Sequence, residues 1–292
     1  MRICAVILNY FGAEDTIACA QQLCTQNIER VCVVDNSADA DQAARLAGAF
    51  AGQDIIALLE TGKNIGFAAG INYGLRHLPL PDFDAVLVLN NDTLIPDGFI
   101  EKLTSAACTA GLHLAGPRIH HYPDTGRLWS RGSWYNAWFG LVTHRPLPLP
   151  GNIFYLTGCC LLIQRRVFET IGLLDERFFM YGEDVDFCFR AARSGLKTGA
   201  IDDAVLYHKA NASSRNNSFF YEQQVASAHL HLSQCLFERS STRTLSACMK
   251  IPVLCVRALL RTLRFGNLNA IKGLMSALFK NKPQSMPSAL MK

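Results

Sequence analysis

With 292 residues, half of them hydrophobic and 18% charged, the chain can bury an ample core as one large α/β domain or a domain with an appendage, which excludes intrinsic disorder. Eleven cysteines, odd in number, irregularly spaced and without a C-x-x-C pair, exclude a disulfide scaffold or a cysteine zinc framework. With Met1 running directly into the strand-like ICAVIL, they imply reduced thiols and a cytoplasmic location. The net charge of +4 conceals a division, because Ser240 to Lys292 holds nine basic residues and no acid, while the rest carries 19 basic and 24 acidic residues. The tail, and not the body, therefore faces an anionic partner, and no nucleic-acid partner is expected.

In chain order, Ile3 to Leu8 predicts a first strand, and Asn9-Tyr10-Phe11-Gly12 a turn into a helix whose apolar positions recur to about Cys24. Arg30 to Val34 is a second strand that ends in Asp35-Asn36-Ser37. A helix near Asp41 to Phe50 leads to a third strand, Asp54 to Leu59, and to GKNIGFAAGINYG, whose repeated glycines let backbone approach a ligand or a neighbouring helix. Ala85 to Asp92, AVLVLNND, is a buried strand that breaks at once into two amides and a carboxylate, followed by a helix from Asp97 to Leu103. This alternation predicts an α/β fold with a mostly parallel sheet, right-handed crossovers and helices on both faces.

Beyond Leu103 the pattern loosens. Residues 111 to 150 hold three Trp, many turn formers and no sustained period, as a substrate-covering insertion would. Phe154 to Ile163 predicts a strand interrupted at Thr157-Gly158, Arg166 to Ile171 a short helix, Glu183-Asp184 the start of another, and Ala204 to His208 a last short strand.

In an open α/β sheet ligands bind beyond the carboxyl ends of the strands, which places Asn90, Asn91 and Asp92 where a substrate arrives. A carboxylate there suits a hard divalent cation that shares its shell with phosphate oxygens; the same residues also suit an Asx-rich turn before a helix.

The segments NIGFAAGINYGL, LNND, TGCCLLI and FFMYGEDVDFCFRAARSG, in that order and spacing, resemble the family 2 inverting glycosyltransferases, nearest to a bacterial rhamnosyltransferase-like branch, over about residues 1 to 230. The resemblance implies a GT-A fold, a nucleotide-sugar donor (dTDP-rhamnose or a UDP-sugar), Mg²⁺ or Mn²⁺, a glycan or lipid-linked glycan acceptor in cell-surface polysaccharide synthesis, and inversion at the anomeric carbon. By that likeness Asp184 is the general base, with Glu183 beside it, and Asp92 the metal ligand. The family's D-x-D stands here as Asn90-Asn91-Asp92, without its first carboxylate. His208 matches a further metal ligand of some relatives, or is a structural histidine. Asn9 and Asp35 match the seat of base and ribose, and Asn64, Gly66, Phe67 and Gly70 the segment along the nucleoside; close helix packing is the other reading of the glycines. Trp129 and Trp134 are stacking faces for the acceptor or anchors of an irregular loop. The rivals are a nucleotidyltransferase, disfavoured because the turn after the first strand holds no Lys or Arg, and a non-catalytic sugar-nucleotide-binding module.

The expected division is a catalytic domain over 1–239 and a basic amphipathic helical tail over 240–292. Apolar residues such as Leu254, Leu259, Leu263, Ile271 and Leu278 recur with near-helical spacing among Arg257, Arg261, Arg264 and Lys272. Such a tail suits the anionic cytoplasmic face of the inner membrane; the competing expectation is a pair of helices packed on the catalytic domain. Pro252 and Gly266 are expected to divide it into short pieces.

Overall fold

The computed structural model describes residues 1–209 and 217–280. Its first half alternates strand and helix: β1 (Ile3–Asn9), α1 (Ala13–Cys24), β2 (Arg30–Asp35), α2 (Ala40–Phe50), β3 (Ile56–Glu60), α3 (Phe67–His77), β4 (Ala85–Asn90), β5 (Thr93–Leu94) and α4 (Phe99–Thr109). The second half runs β6 (Leu114–His121), β7 (Leu128–Ser130), β8 (Ser133–Asn136), β9 (Val142–Thr143), β10 (Asn152–Tyr155), β11 (Cys160–Gln164), α5 (Arg165–Ile171), α6 (Glu183–Arg193) and β12 (Thr198–His208). Three helices close the described chain: α7 (Phe219–Cys235), α8 (Ser240–Phe265) and α9 (Asn269–Lys280).

Side-chain alternation along the first strands sets up two cores. Ile3, Ala5 and Ile7 of β1 join Val31, Val33, Leu87 and Leu89 in a cluster closed by Leu23, Leu46, Phe99 and Leu103, from α1, α2 and α4. Cys4 and Val6 join Cys32, Val34, Val86 and Val88 on the other face, under Ile71 and Leu75 of α3 and Phe187 and Ala191 of α6. A sheet buried on both faces must read as a continuous apolar run, and these strands do.

The main sheet has the order β3-β2-β1-β4-β11-β6-β12-β5, with β7 paired to β6. β1 to β4 are parallel, as the alternation predicts. The other half is mixed, since β11 runs antiparallel to both β4 and β6, while β6 and β12 are parallel. Residues 111–150 are thus more than a covering insertion: β6 occupies a central place in the main sheet, and β8 and β9 pair with β10 in a second, three-stranded sheet. The break at Thr157-Gly158 separates β10 from β11, which belong to different sheets.

The tail is less divided than its sequence suggests. Gly266 ends α8 in the left-handed region, φ 65°, but α8 runs unbroken through Pro252. Pro costs about 3 kcal/mol in a helix interior, and here it lies on the exposed side, where water can reach the carbonyl it leaves unpaired. On the opposite side Leu254 and Ala258 bury against Ala226 and Leu230 of α7 and Ala270, Leu274 and Ala277 of α9. Packing outweighs propensity at this site.

Candidate active site

The carboxyl ends of β1, β2 and β4 lie together, with Asn9 in register with Asp35 and Leu8 with Asn90. Beyond them opens a cavity of about 630 Å³, within the range of small-ligand sites. Of the expected residues, Asn64, Gly66, Phe67, Asn90, Asn91, Asp92, Trp129, Glu183, Asp184 and His208 line it.

Four others lie elsewhere. Asn9 and Asp35 are buried beneath the cavity: Asn9 Nδ2 donates to Asp35 Oδ1 at 2.9 Å, and Asn9 Oδ1 accepts from Thr16 Oγ1 at 2.8 Å and from the Gly12 N–H at 3.2 Å. These bonds tie the turn after β1 to the end of β2. Gly70 packs α3 on β1, since a Cβ there would meet Leu8 Cδ1 at 2.5 Å. Trp134, on β8, stacks edge-on with Phe154 and is not among the cavity-lining residues.

At the cavity wall β12 pairs antiparallel with β5, setting His208 opposite Thr93 and so beside Asp92. His208 Nε2 lies 3.0 Å from Asp92 Oδ1, both side chains about 8% exposed. Yet Asp92 Oδ1 has no hydrogen-bond partner, nor has His208 Nδ1, so the contact is close without being a formed hydrogen bond. The Trp129 ring stands edge-on to the imidazole at 4.6 Å and holds its plane. A buried carboxylate oxygen and a ring nitrogen that converge without bonding fit a divalent cation as two of its ligands, the rest of the shell coming from phosphate and water.

Also at the cavity wall, α6 begins after its N-cap Gly182 with Glu183 and Asp184 in its first turn. Asp184 Oδ1 accepts the Val185 N–H at 2.8 Å, and Oδ2 the Gly158 N–H at 3.3 Å, supplied by the break between β10 and β11. Glu183 is buried, and its Oε2 has no partner. Burial, and then the adjacent Asp184 charge, push the Glu183 carboxyl well above its ordinary range. Burial also raises Asp184, opposed by the N–H groups of Gly158 and Val185. Two carboxyls so placed retain a proton between them near neutrality.

The loop into α3 also lines the cavity. Gly66, at φ 88°, admits the Phe179 carbonyl, which a Cβ would meet at 2.5 Å, and that carbonyl accepts the Phe67 N–H at 2.7 Å. Asn36 Nδ2 donates to Asn64 Oδ1 at 3.0 Å, and its Oδ1 accepts the Ile65 N–H at the same distance. Asn36 stood next to a residue singled out in the sequence, and its strand-end position was the signal available. Tyr10, Thr157, Gly158, Met180, Tyr181, Phe220 and Tyr221 also line the cavity. Phe220 and Tyr221 come from α7, over which the sequence suggested no element.

The sequence profile described as glycosyl transferase family 2 matches residues 4–172. The chain is 29% identical over 204 residues to the low-salt glycan biosynthesis hexosyltransferase Agl10 of Haloferax volcanii, covering 66% of this chain and 62% of that one. It is 30% identical over 192 residues to the N-acetylglucosaminyl-diphospho-decaprenol L-rhamnosyltransferase of Mycobacterium tuberculosis, covering 55% and 61%. It thus spans about 60% of the length of these curated relatives. Among solved structures it shares the fold of a mannosyltransferase from Pyrobaculum calidifontis in complex with GDP-Man and Mn²⁺, at a TM-score of 0.59 and 13% identity, over 96% of this chain and 88% of that one.

Proposed function

Because this chain belongs to glycosyl transferase family 2 and has the GT-A type of fold, we propose that it transfers a sugar, with inversion, from a nucleoside-diphosphate donor to a hydroxyl of a glycan or lipid-linked glycan in bacterial cell-surface polysaccharide synthesis. The donor class is dTDP-rhamnose or a UDP-sugar, in keeping with the rhamnosyl- and hexosyltransferases among its relatives. The observation that carries this reading is one cavity lined both by Asp92 and His208 and by Glu183 and Asp184. Inversion in one displacement needs these two functions on opposite sides of the anomeric carbon.

Asp92 and His208 would hold Mg²⁺ or Mn²⁺, which when bound neutralises the departing diphosphate. Asp184 takes the proton from the attacking hydroxyl; its raised pKa suits a base working near neutral pH, and its two backbone hydrogen bonds fix its direction. Glu183 holds the neighbouring proton, so that Asp184 need not share the helix end with a second full charge. Asn36, Asn64 and Gly66 shape the nucleoside side, and Trp129, Tyr181, Phe220 and Tyr221 offer apolar faces to the sugars.

A peripheral membrane location belongs to the same proposal. No helix among the described residues is long and apolar enough to cross a membrane. α8 instead exposes Val256, Leu259, Leu260 and Leu263, and α9 exposes Met275 and Phe279. Arg264 and Lys272 are exposed on the same two helices. An anionic bilayer surface would cover such a face. The nine tail cations do not all serve it: Arg257 and Arg261 pair with Glu222 of α7, Lys250 is buried, and Lys282 and Lys292 lie outside the described residues.

The test is release of nucleoside diphosphate when candidate sugar nucleotides are added with Mg²⁺ or Mn²⁺, alongside a thermal-shift screen of the same donors. Release that requires the metal and is lost in Asp184→Asn supports the proposal. Donor stabilisation without release by any donor and acceptor would favour a binding module.

A further inference from the structure

Asp175, His231 and Cys235 form a second group of ligand atoms outside the cavity, all within 4.8 Å of one another. His231 and Cys235 stand four residues apart on α7, and so share one helix face. Asp175 comes from the segment that leads to Glu183. Its Oδ2 lies 3.9 Å from both His231 Nε2 and Cys235 Sγ. The edge of a tetrahedral zinc shell is about 3.4 Å, given metal–ligand bonds of roughly 2.0 to 2.3 Å, so the two edges at Asp175 are long by about half an ångström and the third, within 4.8 Å, by at most about 1.4 Å.

A guanidinium stands against two of the three donors. Arg177 Nη2 lies 2.6 Å from Asp175 Oδ2 and 3.7 Å from Cys235 Sγ, while its Nε reaches both carboxylate oxygens. The site therefore already selects a cation, but Arg177 satisfies only two of the three donors. His231 Nε2 is buried and faces Asp175 Oδ2 at 3.9 Å, too far for a formed hydrogen bond. The Phe178 ring stands edge-on to the imidazole at 4.7 Å and fixes its direction. Burial pushes the Cys235 thiol up to about 12 in the absence of a metal. Arg177 is half exposed and can swing into solvent, and a small cavity lined by Arg177, Phe178 and His231 reaches one of the three donors.

We propose that Asp175, His231 and Cys235 form a binding site for a thiophilic divalent cation such as Zn²⁺, which displaces Arg177 and ties α7 to the segment leading into α6. Mixed carboxylate, imidazole and thiolate donors select Zn²⁺ or Co²⁺ over Mg²⁺, which prefers oxygen alone. An ion there would brace residues 175–182, whose Phe179 carbonyl holds the loop at Phe67 and whose Tyr181 lines the main cavity. The inference is independent of the reaction proposed above.

Co²⁺ is the probe, added to the full, reduced chain in excess Mg²⁺. The expected result is one thiolate-to-cobalt charge-transfer band with tetrahedral d–d absorption, at one ion per chain and displaced by Zn²⁺. The band should persist in Asp92→Ala and in Cys248→Ser, which removes an exposed thiol, and vanish in Cys235→Ser and His231→Gln. Arg177→Gln, which removes the internal competitor, should tighten Co²⁺ binding by about tenfold, the scale on which groups around a metal's ligands tune affinity. Absence of the band, its survival in Cys235→Ser, or unchanged affinity in Arg177→Gln would each overturn the proposal; the last needs no loss of a ligand and so does not depend on the ligand variants folding.

Discussion

Two regions bury charge, and they treat it oppositely. Where α8 packs on α7, Glu222 is 2% exposed and accepts from Arg257 Nη1 at 2.6 Å and from Arg261 Nε, so its charge is matched. In the main cavity, Asp92 Oδ1, Glu183 Oε2 and His208 Nδ1 are as deeply placed and have no partner. An unpaired buried polar atom costs roughly 1–3 kcal/mol, and the cavity carries that cost at three side chains. The paired carboxylate ties the tail to the body; the partnerless atoms belong to residues that line an open cavity.

Substitutions can break that contrast, beginning at the cavity. Asp184→Asn keeps the shape and still accepts the Val185 N–H, but cannot take a proton. Transfer should fall by about 10² to 10⁴, the usual contribution of a general base, with donor affinity and melting temperature close to those of the parent. The acid limb of the parent's rate profile should lie above the ordinary carboxylate range, because burial raises Asp184. Near-normal turnover by the variant would remove Asp184 from the mechanism.

At the junction the effect should fall on stability. Glu222→Ala leaves two guanidinium groups half-buried without their carboxylate, and breaking a buried pair from one side costs roughly 3–5 kcal/mol. Ending the chain at Arg239 strands the carboxylate instead, and uncovers Ala226 and Leu230. Thermal unfolding should show both, and a chain shortened in this way that melts like the parent would mean that α8 and α9 are only loosely attached.

Asp92→Ala should weaken metal-dependent donor binding by at least about tenfold while leaving metal-free nucleoside binding nearly unchanged, and His208→Ala should do so less severely, since diphosphate and water complete the shell of a hard cation. Calorimetry with and without EDTA separates the two contributions. Equal loss in both conditions would make the pair structural, like that at the junction.

How far the sequence revealed these features follows from the same physics. β1 to β4 are apolar runs ending abruptly in polar residues, and the strand ends they mark are where the cavity lies. β6 was hidden because Gly116, Pro117, Arg118 and two histidines interrupt any alternation, although Leu114, Ala115 and Ile119 are buried. α7 was hidden because it packs on more than one side: Ala228 and Leu232 face the small sheet, and Ala226 and Leu230 face α8 and α9. No single apolar stripe remains to be read. Pro252 misled because propensity says nothing of which side of a helix is covered. Glu222, the tail's buried counter-charge, lies in α7 and was invisible to a count of tail charges alone.

The smallest effect expected is also the most direct test of why Glu183 is tolerated. Its folded-state pKa is raised above the unfolded value, by burial first and by Asp184 second. The folded protein therefore binds this proton more tightly than the unfolded chain does. Between the ordinary carboxylate range and the raised value, stability must fall as pH rises, because ionising Glu183 costs more in the fold than out of it. Glu183→Gln keeps the volume and removes the ionisation. Its melting temperature should exceed the parent's at neutral pH, by a stabilisation on the order of 1–2 kcal/mol, and the two proteins should converge as pH falls below the ordinary carboxylate range, where the parent's Glu183 is protonated in either state. A variant less stable than the parent at neutral pH would show that Oε2 has a partner in solution, and Glu183 would then belong with the paired charges of the junction.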